Sequence, residues 1–448
     1  MTVSLFFQAC KVAKNYQNPQ GVVNDSLYRD VHSQDTANLA TLSWQKLFSP
    51  KLQALIAEGI QNNFDLKIAQ ARIDAAQANF KQSKLALLPS LSANANAAFQ
   101  HLPDVQNGYP QIYQLYANAA WEVDLWGKLK SAKRAELAAL QQSEAYKRYV
   151  QTQLVSQIAS YYYLLESYDA QLDLTLKTVA NRKEDVTAMQ QLKESDVVTG
   201  AAVVQSEANQ YSVEVTIPDI RQSIRETENA ICILIGRNPG TIDRDSLSQE
   251  TILTDLPTGV PSQLLANRPD IQEAEYQLQN AFELTNVARS YFYPDLNITA
   301  QAGFYNNTLS NFFSPATFLA NIIGGLTQPI FNNGANKQRL AVANAQQEEY
   351  LQAYKKAWLT AGQEVSNALF QYQAGQEKVN VRAKEIGSLQ KAVEYTQALL
   401  RYTSNTNYTD VLTSEQSLLS AQLSSISDKL QQLQAVVSLY VSLGGGWR

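Results

Sequence analysis

Two stretches of sequence decide the architecture of this chain: NNFDLKIAQARIDAAQANFKQSKLALLPSL at 62–91 and NRPDIQEAEYQLQNAFELTNVARSYFYPDL at 267–296. Their prolines, Pro89 and Pro294, stand 205 positions apart, while Gly236 and Gly444 near the ends of the two halves stand 208 apart. An offset that drifts so little over most of 448 residues indicates internal duplication.

Each half predicts a helix, two strands, a very long helix and a long return helix. No Gly or Pro occurs between Gly127 and Gly200, and a helix of that length spans ~108 Å at about 1.5 Å per residue. Pro218 predicts an interruption in the first return helix. The last helix has an apolar residue at every seventh position, which is typical of coiled-coil packing: Leu412, Leu419, Ile426, Leu433 and Tyr440.

The strands alternate between apolar side chains and Asn, Gln, Ser or Thr, as in the segment that begins at Leu91. Their length of about ten residues suits a tilted strand that crosses a bilayer, although a soluble antiparallel sheet is the common alternative. Four strands cannot close a membrane barrel, and open edges are not tolerated in lipid. Two chains give eight strands with a filled interior, whereas three give twelve strands and a pore.

Charge and motif content narrow the function classes. The net charge of −5 is not clustered, so nucleic acid is an unexpected partner. No apolar run approaches the ~20 residues of a membrane-spanning helix. His32 and His101 form no recognisable dyad or metal site. We therefore expect no enzyme, no catalytic residue, no metal and no cofactor.

Cys10 follows SLFFQA, an apolar run that ends in a small residue, as at a bacterial lipoprotein cleavage site. The run before it is short and lacks Lys or Arg. Either the start lies upstream or the cysteine is incidental, and we expect lipidation at Cys10.

Several motifs, in order along the chain, resemble those of the TolC family of outer-membrane efflux proteins, and of its lipoprotein branch in particular. They are WEVDLWGK at 121–128, NRPDIQEAE at 267–275, YPDLNIT at 293–299, QPIFNNG at 328–334, EVSNAL at 364–369 and LGGGW at 443–447. Together they cover essentially all of 10–448. The resemblance implies a mostly α fold with a small β part: a duplicated long-helix coiled-coil barrel plus four transmembrane strands per protomer, completed to twelve strands in a homotrimer.

The resemblance further implies a domain plan. We expect an N-terminal anchor and equatorial segment at 1–49, a first repeat at 50–236, an equatorial linker at 237–260 and a second repeat at 261–448. Strands are expected at about 91–101, 111–125, 296–305 and 318–330, and long helices at about 127–199, 201–235, 335–403 and 409–443. Extracellular loops are expected at 102–110 and 306–317.

The implied function is the exit channel of a tripartite multidrug-resistance efflux pump, lipid-anchored in the bacterial outer membrane and extending into the periplasm. The implied partners are two sister chains, a periplasmic adaptor, an inner-membrane efflux transporter and outer-membrane lipid. A type I protein-secretion duct is the alternative within the channel class, and a structural coiled-coil envelope protein is the alternative from another class.

The family's gate lies at the turn between the last two helices, which matches 402–416 here. Asp410 matches the first of two acidic residues that ring the pore in many relatives, whereas Thr413 stands at the second position. Thr409 replaces an apolar constricting residue of some relatives. Threefold symmetry would bring three Asp410 carboxylates together. An ordinary Asp in the first turn of a helix is the equally weighted alternative.

Overall fold

The computed structural model describes residues 12–19, 21, 27–29, 39–99, 111–251, 263–402 and 408–447. The chain divides into two compact units. The first comprises 1–20, 71–145 and 272–357, and the second comprises 21–70, 146–271 and 358–448. Cys10 and the predicted loop at 102–110 lie outside the described residues.

The first unit contains a four-stranded antiparallel sheet in the order β1-β2-β3-β4. The strands are β1 (Ser90–Phe99), β2 (Gln111–Val123), β3 (Asp295–Asn306) and β4 (Phe318–Thr327). Ala117 pairs with Ala93 on one side and with Ala302 on the other. The sheet thus joins strands from both halves of the duplicated sequence.

Among the described strands, β1 pairs only with β2 and β4 pairs only with β3, so the sheet has two open edges. Apolar side chains project from both edge strands into solvent; Leu91 and Ile322 are each 78% exposed. Open edges that carry exposed apolar residues are templates for pairing with the strand of another chain.

The helices follow the expected order. They are α1 (Trp44–Leu47), α2 (Pro50–Asn62), α3 (Phe64–Leu85), α4 (Lys128–Glu194), α5 (Gly200–Glu214), α6 (Thr216–Leu234), α7 (Leu264–Asn267), α8 (Pro269–Ser290), α9 (Ala335–Tyr402) and α10 (Tyr408–Ser442). The interruption predicted near Pro218 is confirmed, since α5 ends and α6 begins around Val215. The fourth strand ends three residues earlier than expected, before Pro329, which has no N–H for the ladder.

The start of α4 is set by local hydrogen bonds. The Asp124 carboxylate accepts the backbone N–H groups of Leu129 and Lys130 at 3.2 and 2.9 Å, and Gly127 adopts a φ of +81°. The indole N–H of Trp126 donates to the carbonyl oxygen of Pro294 at 2.7 Å. These bonds fix the strand-to-helix junction of the first repeat against the helix-to-strand junction of the second, between α8 and β3.

In the second unit the predicted heptad residues are mostly buried. Four apolar residues at seven-residue spacing in the α4 sequence, Ile158, Leu165, Val179 and Val186, are buried. On α10, Leu412, Leu433 and Tyr440 of the predicted heptad are also buried. Among the described helices, none is long and apolar enough to cross a membrane.

Candidate functional site

The predicted gate residues lie in the first turns of α10. Thr409 and Asp410 are exposed, and Asp410 is the acidic residue of the first helical turn. The Thr413 hydroxyl donates to the carbonyl oxygen of Thr409 at 2.8 Å. The helix therefore presents one carboxylate, with a threonine one turn later whose hydroxyl proton is used within the helix.

Behind this surface, a hydrophobic cluster holds the ends of the two helical hairpins together. It comprises Met189 of α4, Val203 of α5, and Tyr408 and Leu412 of α10. Three partly buried side chains pack on it: Leu192, Val198 and Leu400. We call these seven residues the tip cluster. It contains side chains from both repeats, so the two hairpins pack as one unit at this end.

The tip cluster includes one buried polar link. The Tyr408 hydroxyl donates to the Ser206 hydroxyl oxygen at 2.7 Å. Burial raises the pKa of Tyr408, and the bond to Ser206 opposes that rise. A neutral phenol held in this way connects α10 to α5 without any titration near neutral pH.

Two turns further along α10 than Tyr408, a buried ion pair connects the repeats again. Arg182 of α4 has a side chain that is 6% exposed, and its guanidinium pairs with the Glu415 carboxylate of α10. Glu415 also accepts the Gln397 side-chain amide of α9 at 2.9 Å. Three long helices therefore meet on one carboxylate, and the loss of Arg182 would leave it unpaired in a poorly hydrated site.

Sequence reasoning missed Arg182, Ser206 and Glu415. A signal for the arginine was present, because Arg182 stands three positions after Val179, at the second core position of the heptad. A charged residue at such a position needs a partner from a neighbouring helix. No comparable signal singles out Ser206 among the many serines of the helices.

Within the described ranges, no group of three or more His, Cys, Asp and Glu side chains could hold a metal ion. Cys232 is buried as a free thiol. What the described tips offer is a packed hydrophobic cluster with an exposed carboxylate at its surface.

Comparison with known proteins assigns the fold. The model of the outer membrane efflux protein family matches residues 55–237 and 260–445. The probable efflux pump outer membrane protein TtgC of Pseudomonas putida is 29% identical over 98% of this chain and 93% of its own length. The cation efflux system protein CusC of Escherichia coli (strain K12) is 27% identical over 99% and 98%.

The solved open state of the Neisseria gonorrhoeae outer membrane channel MtrE superposes with a TM-score of 0.88 at 26% identity. The superposition covers 98% of this chain and 99% of that channel. The mostly helical fold with a small four-stranded sheet is thus the fold of outer membrane channels. The names of the two relatives describe efflux and not secretion, which favours the efflux function over the secretion alternative. The chain belongs to the outer membrane efflux protein family and is an efflux channel of the outer membrane.

Proposed function

We propose that three copies of this chain close a twelve-stranded barrel and pass small toxic compounds from the periplasm to the exterior. The observation that carries the proposal is the pair of open edges on β1 and β4. Three copies satisfy both edges of every chain, and twelve strands leave a lumen that eight do not.

Native mass spectrometry of the protein in mild detergent tests this assembly. The expected particle contains three chains, and its mass is unchanged by dilution over the range in which the fold persists. A folded monomer or dimer as the dominant species would overturn the proposal.

In this assembly the duct carries out no bond chemistry. It provides a hydrated path, and its helical hairpins extend into the periplasm. There we propose that it meets a periplasmic adaptor and, through the adaptor, an inner-membrane efflux transporter. Relatives named as outer-membrane proteins of efflux pumps support this arrangement. Co-purification after crosslinking in the native cell is the test, and recovery of no envelope protein besides the chain itself would count against it.

The gate of this duct is proposed to lie at the tip cluster, with Asp410 as its charged ring and Thr409 and Thr413 as its neutral members. Exposure of Asp410 in the first turn of α10 supports the assignment. Three carboxylates around an axis attract cations and raise the barrier for anions.

The Asp410→Ala variant tests the assignment in planar bilayers. Single-channel conductance should rise or cation selectivity should fall, because the variant removes three negative charges from the constriction. Asp219→Ala is the matched control, since Asp219 is also the acidic residue of a helical first turn, on α6. If Asp410→Ala behaves like Asp219→Ala in both measurements, the ring lies elsewhere.

Lipid anchoring through Cys10 is the remaining part of the proposal. It is supported by the apolar run SLFFQA that precedes the cysteine. Acyl chains add membrane affinity in proportion to the buried CH₂ groups. Mass spectrometry of the intact protein should detect acylation that a Cys10→Ser variant lacks, and an unmodified Cys10 in the mature protein would remove the anchor.

A further inference from the structure

A cavity of about 910 Å³ opens within the second unit. Its walls come from α4, from the segment 245–248, from α9 and from α10. Aliphatic side chains form much of the lining: Leu174, Leu247, Val379, Ile386 and Ile426. A volume of this size lies in the range of small-molecule sites, roughly 300–1,000 Å³, and such sites are mainly apolar with few polar groups.

Glu166 of α4 lines this cavity and has no ion-pair partner in the described part of the chain. The residue is 0% exposed, and neither of its carboxyl oxygens completes a hydrogen bond. The Tyr162 hydroxyl and the Glu250 carboxyl are its polar neighbours. An unsatisfied buried carboxyl costs free energy, which a ligand with a complementary group can recover.

The other acids that line the cavity already have cations. Asp169 accepts two N–H groups of Arg244 at 2.6 and 2.9 Å. Lys177 pairs with Asp173 at 2.7 Å. Asp245 is 3.2 Å from the Lys51 ammonium. Only Glu166, among the acids that line the cavity, has no ion pair within the described residues.

Lys429 of α10 is the cation that lines the cavity, and its ammonium donates to the carbonyl oxygen of Ser248 at 3.3 Å. Burial lowers the pKa of Lys429, while the charges of Glu250 and Glu166 oppose that fall. Burial first, and then the charges of Glu250 and Asp245, raise the pKa of Glu166 to about 8. Burial also raises the pKa of Glu250.

The remaining titratable neighbours do not change this picture. The phenols of Tyr162 and Tyr163 on α4 have pKa values raised by burial, so both stay neutral. Near pH 7 the free Glu166 therefore holds a proton.

We propose that this cavity binds a lipophilic organic cation. The Glu166 carboxylate is the counter-ion, and the apolar part of the ligand packs against the aliphatic side chains of the lining. Binding replaces the carboxyl proton by the ligand charge, so one proton leaves for each cation bound. Affinity therefore rises as the pH rises towards about 8. The site goes beyond the channel function, because its lining residues all belong to the second unit of one chain and bind a ligand without transport.

Isothermal titration calorimetry with tetraphenylphosphonium tests the proposal on the full-length protein in lipid nanodiscs, with empty nanodiscs subtracted. The apparent enthalpy should depend on the ionisation enthalpy of the buffer, which reports the released proton. The Glu166→Gln variant should bind roughly tenfold more weakly or worse, as expected when a buried charge-assisted contact is lost, and its enthalpy should not depend on the buffer. Tetraphenylborate, an anion of the same shape, should not bind at this site.

Glu184→Gln is the matched control, because Glu184 is an exposed acid on the same helix, five turns further along. Ile426→Trp fills the cavity without a change of charge and should also abolish binding, which covers the case in which Glu166→Gln folds poorly. Equal affinity of the folded Glu166→Gln and wild-type proteins would overturn the proposal. So would a buffer-independent enthalpy in the wild type. Because no transport is measured, failure of this site leaves the channel function intact.

Discussion

The two repeats build hairpins of nearly equal length, yet only the second has an unbroken return helix. The outgoing helices α4 and α9 have 67 and 68 residues. The return path of the first repeat consists of α5 and α6, of 15 and 19 residues, whereas α10 runs for 35. At the offset of 208, Pro218 matches Ile426. Duplication has thus preserved the length of the hairpin, while one proline has changed its continuity.

The repeats also differ in charge at their tips. Arg182 of the first repeat has no counterpart in the second, where offsets of 205 to 208 place uncharged residues at 387–390. The ion pair to Glu415 is therefore a contact between repeats that neither repeat could make with a copy of itself. The tip cluster is asymmetric in the same way, since its hydroxyl link joins Tyr408 to Ser206.

The largest expected effect comes from breaking that asymmetric ion pair. Arg182→Met keeps the volume but leaves the Glu415 carboxylate without its cation, which should cost roughly 3–5 kcal/mol locally. Hydrogen exchange at the ends of α4 and α10 should become faster, and single-channel conductance should rise. Lys183→Met is the control, because that side chain is 57% exposed and stands 3.8 Å from its partner Glu214. Equal protection in the two variants would show that the pair does not hold the tips.

Exchanging the proline between repeats should have the next largest effect. Ile426→Pro removes a hydrogen bond from the middle of α10 and should lower the free energy of unfolding by about 3 kcal/mol. Pro218→Ile should change it by less than about 1 kcal/mol, because Pro218 stands in the first turn of α6, where the N–H has no helical partner. Chemical denaturation monitored by circular dichroism measures both. A tolerated Ile426→Pro would mean that continuity of α10 is unimportant.

The repeats also differ in a buried acidic residue, Glu166, whose contribution to stability should depend on pH. Glu166 matches a Gln, Tyr or Ala in the second repeat across the same offsets. Its folded pKa of about 8 lies above the ordinary value of 4.5, so the unfolded chain ionises first as the pH rises. Stability should therefore fall between about pH 4.5 and pH 8.

The midpoint of thermal unfolding should show this fall in the wild type, and the Glu166→Gln variant should have a flatter profile and a higher midpoint at pH 8. Glu184→Gln should follow the wild type. Parallel profiles for Glu166→Gln and the wild type would contradict the assignment.

The smallest effect is expected from the hydroxyl link. Tyr408→Phe removes the donor to Ser206 while keeping the ring in the tip cluster, and should cost about 1 kcal/mol. Tyr395→Phe, at an exposed position of α9, is the control and should be neutral. Thermal unfolding of the two variants checks the difference, and a loss of similar size in both would assign the cost to a source other than the link.

Much of the fold could be predicted because the periodicity of apolar residues and the positions of Gly and Pro are local properties of the sequence. The alternation around Leu91 gave the strand, the heptads gave the buried faces of α4 and α10, and Pro218 gave the break. The residues of the candidate site were harder to predict from the sequence. Asp410 was predicted from the resemblance to the family's gate and stays a prediction, whereas the contacts of Arg182, Ser206 and Glu166 depend on which helices become neighbours. That information lies in packing between distant segments and not in any local pattern.

The open edges of the sheet have a consequence for how the channel is made. Each newly folded chain presents two rows of unpaired backbone groups, on β1 and β4, and these rows can pair with any exposed strand as readily as with a sister chain. If closure takes three chains, its rate depends on the concentration of chains at the membrane. Correct edge pairing and aggregation then compete kinetically during biogenesis. The cell must therefore deliver the chains together or shield their edges until they assemble.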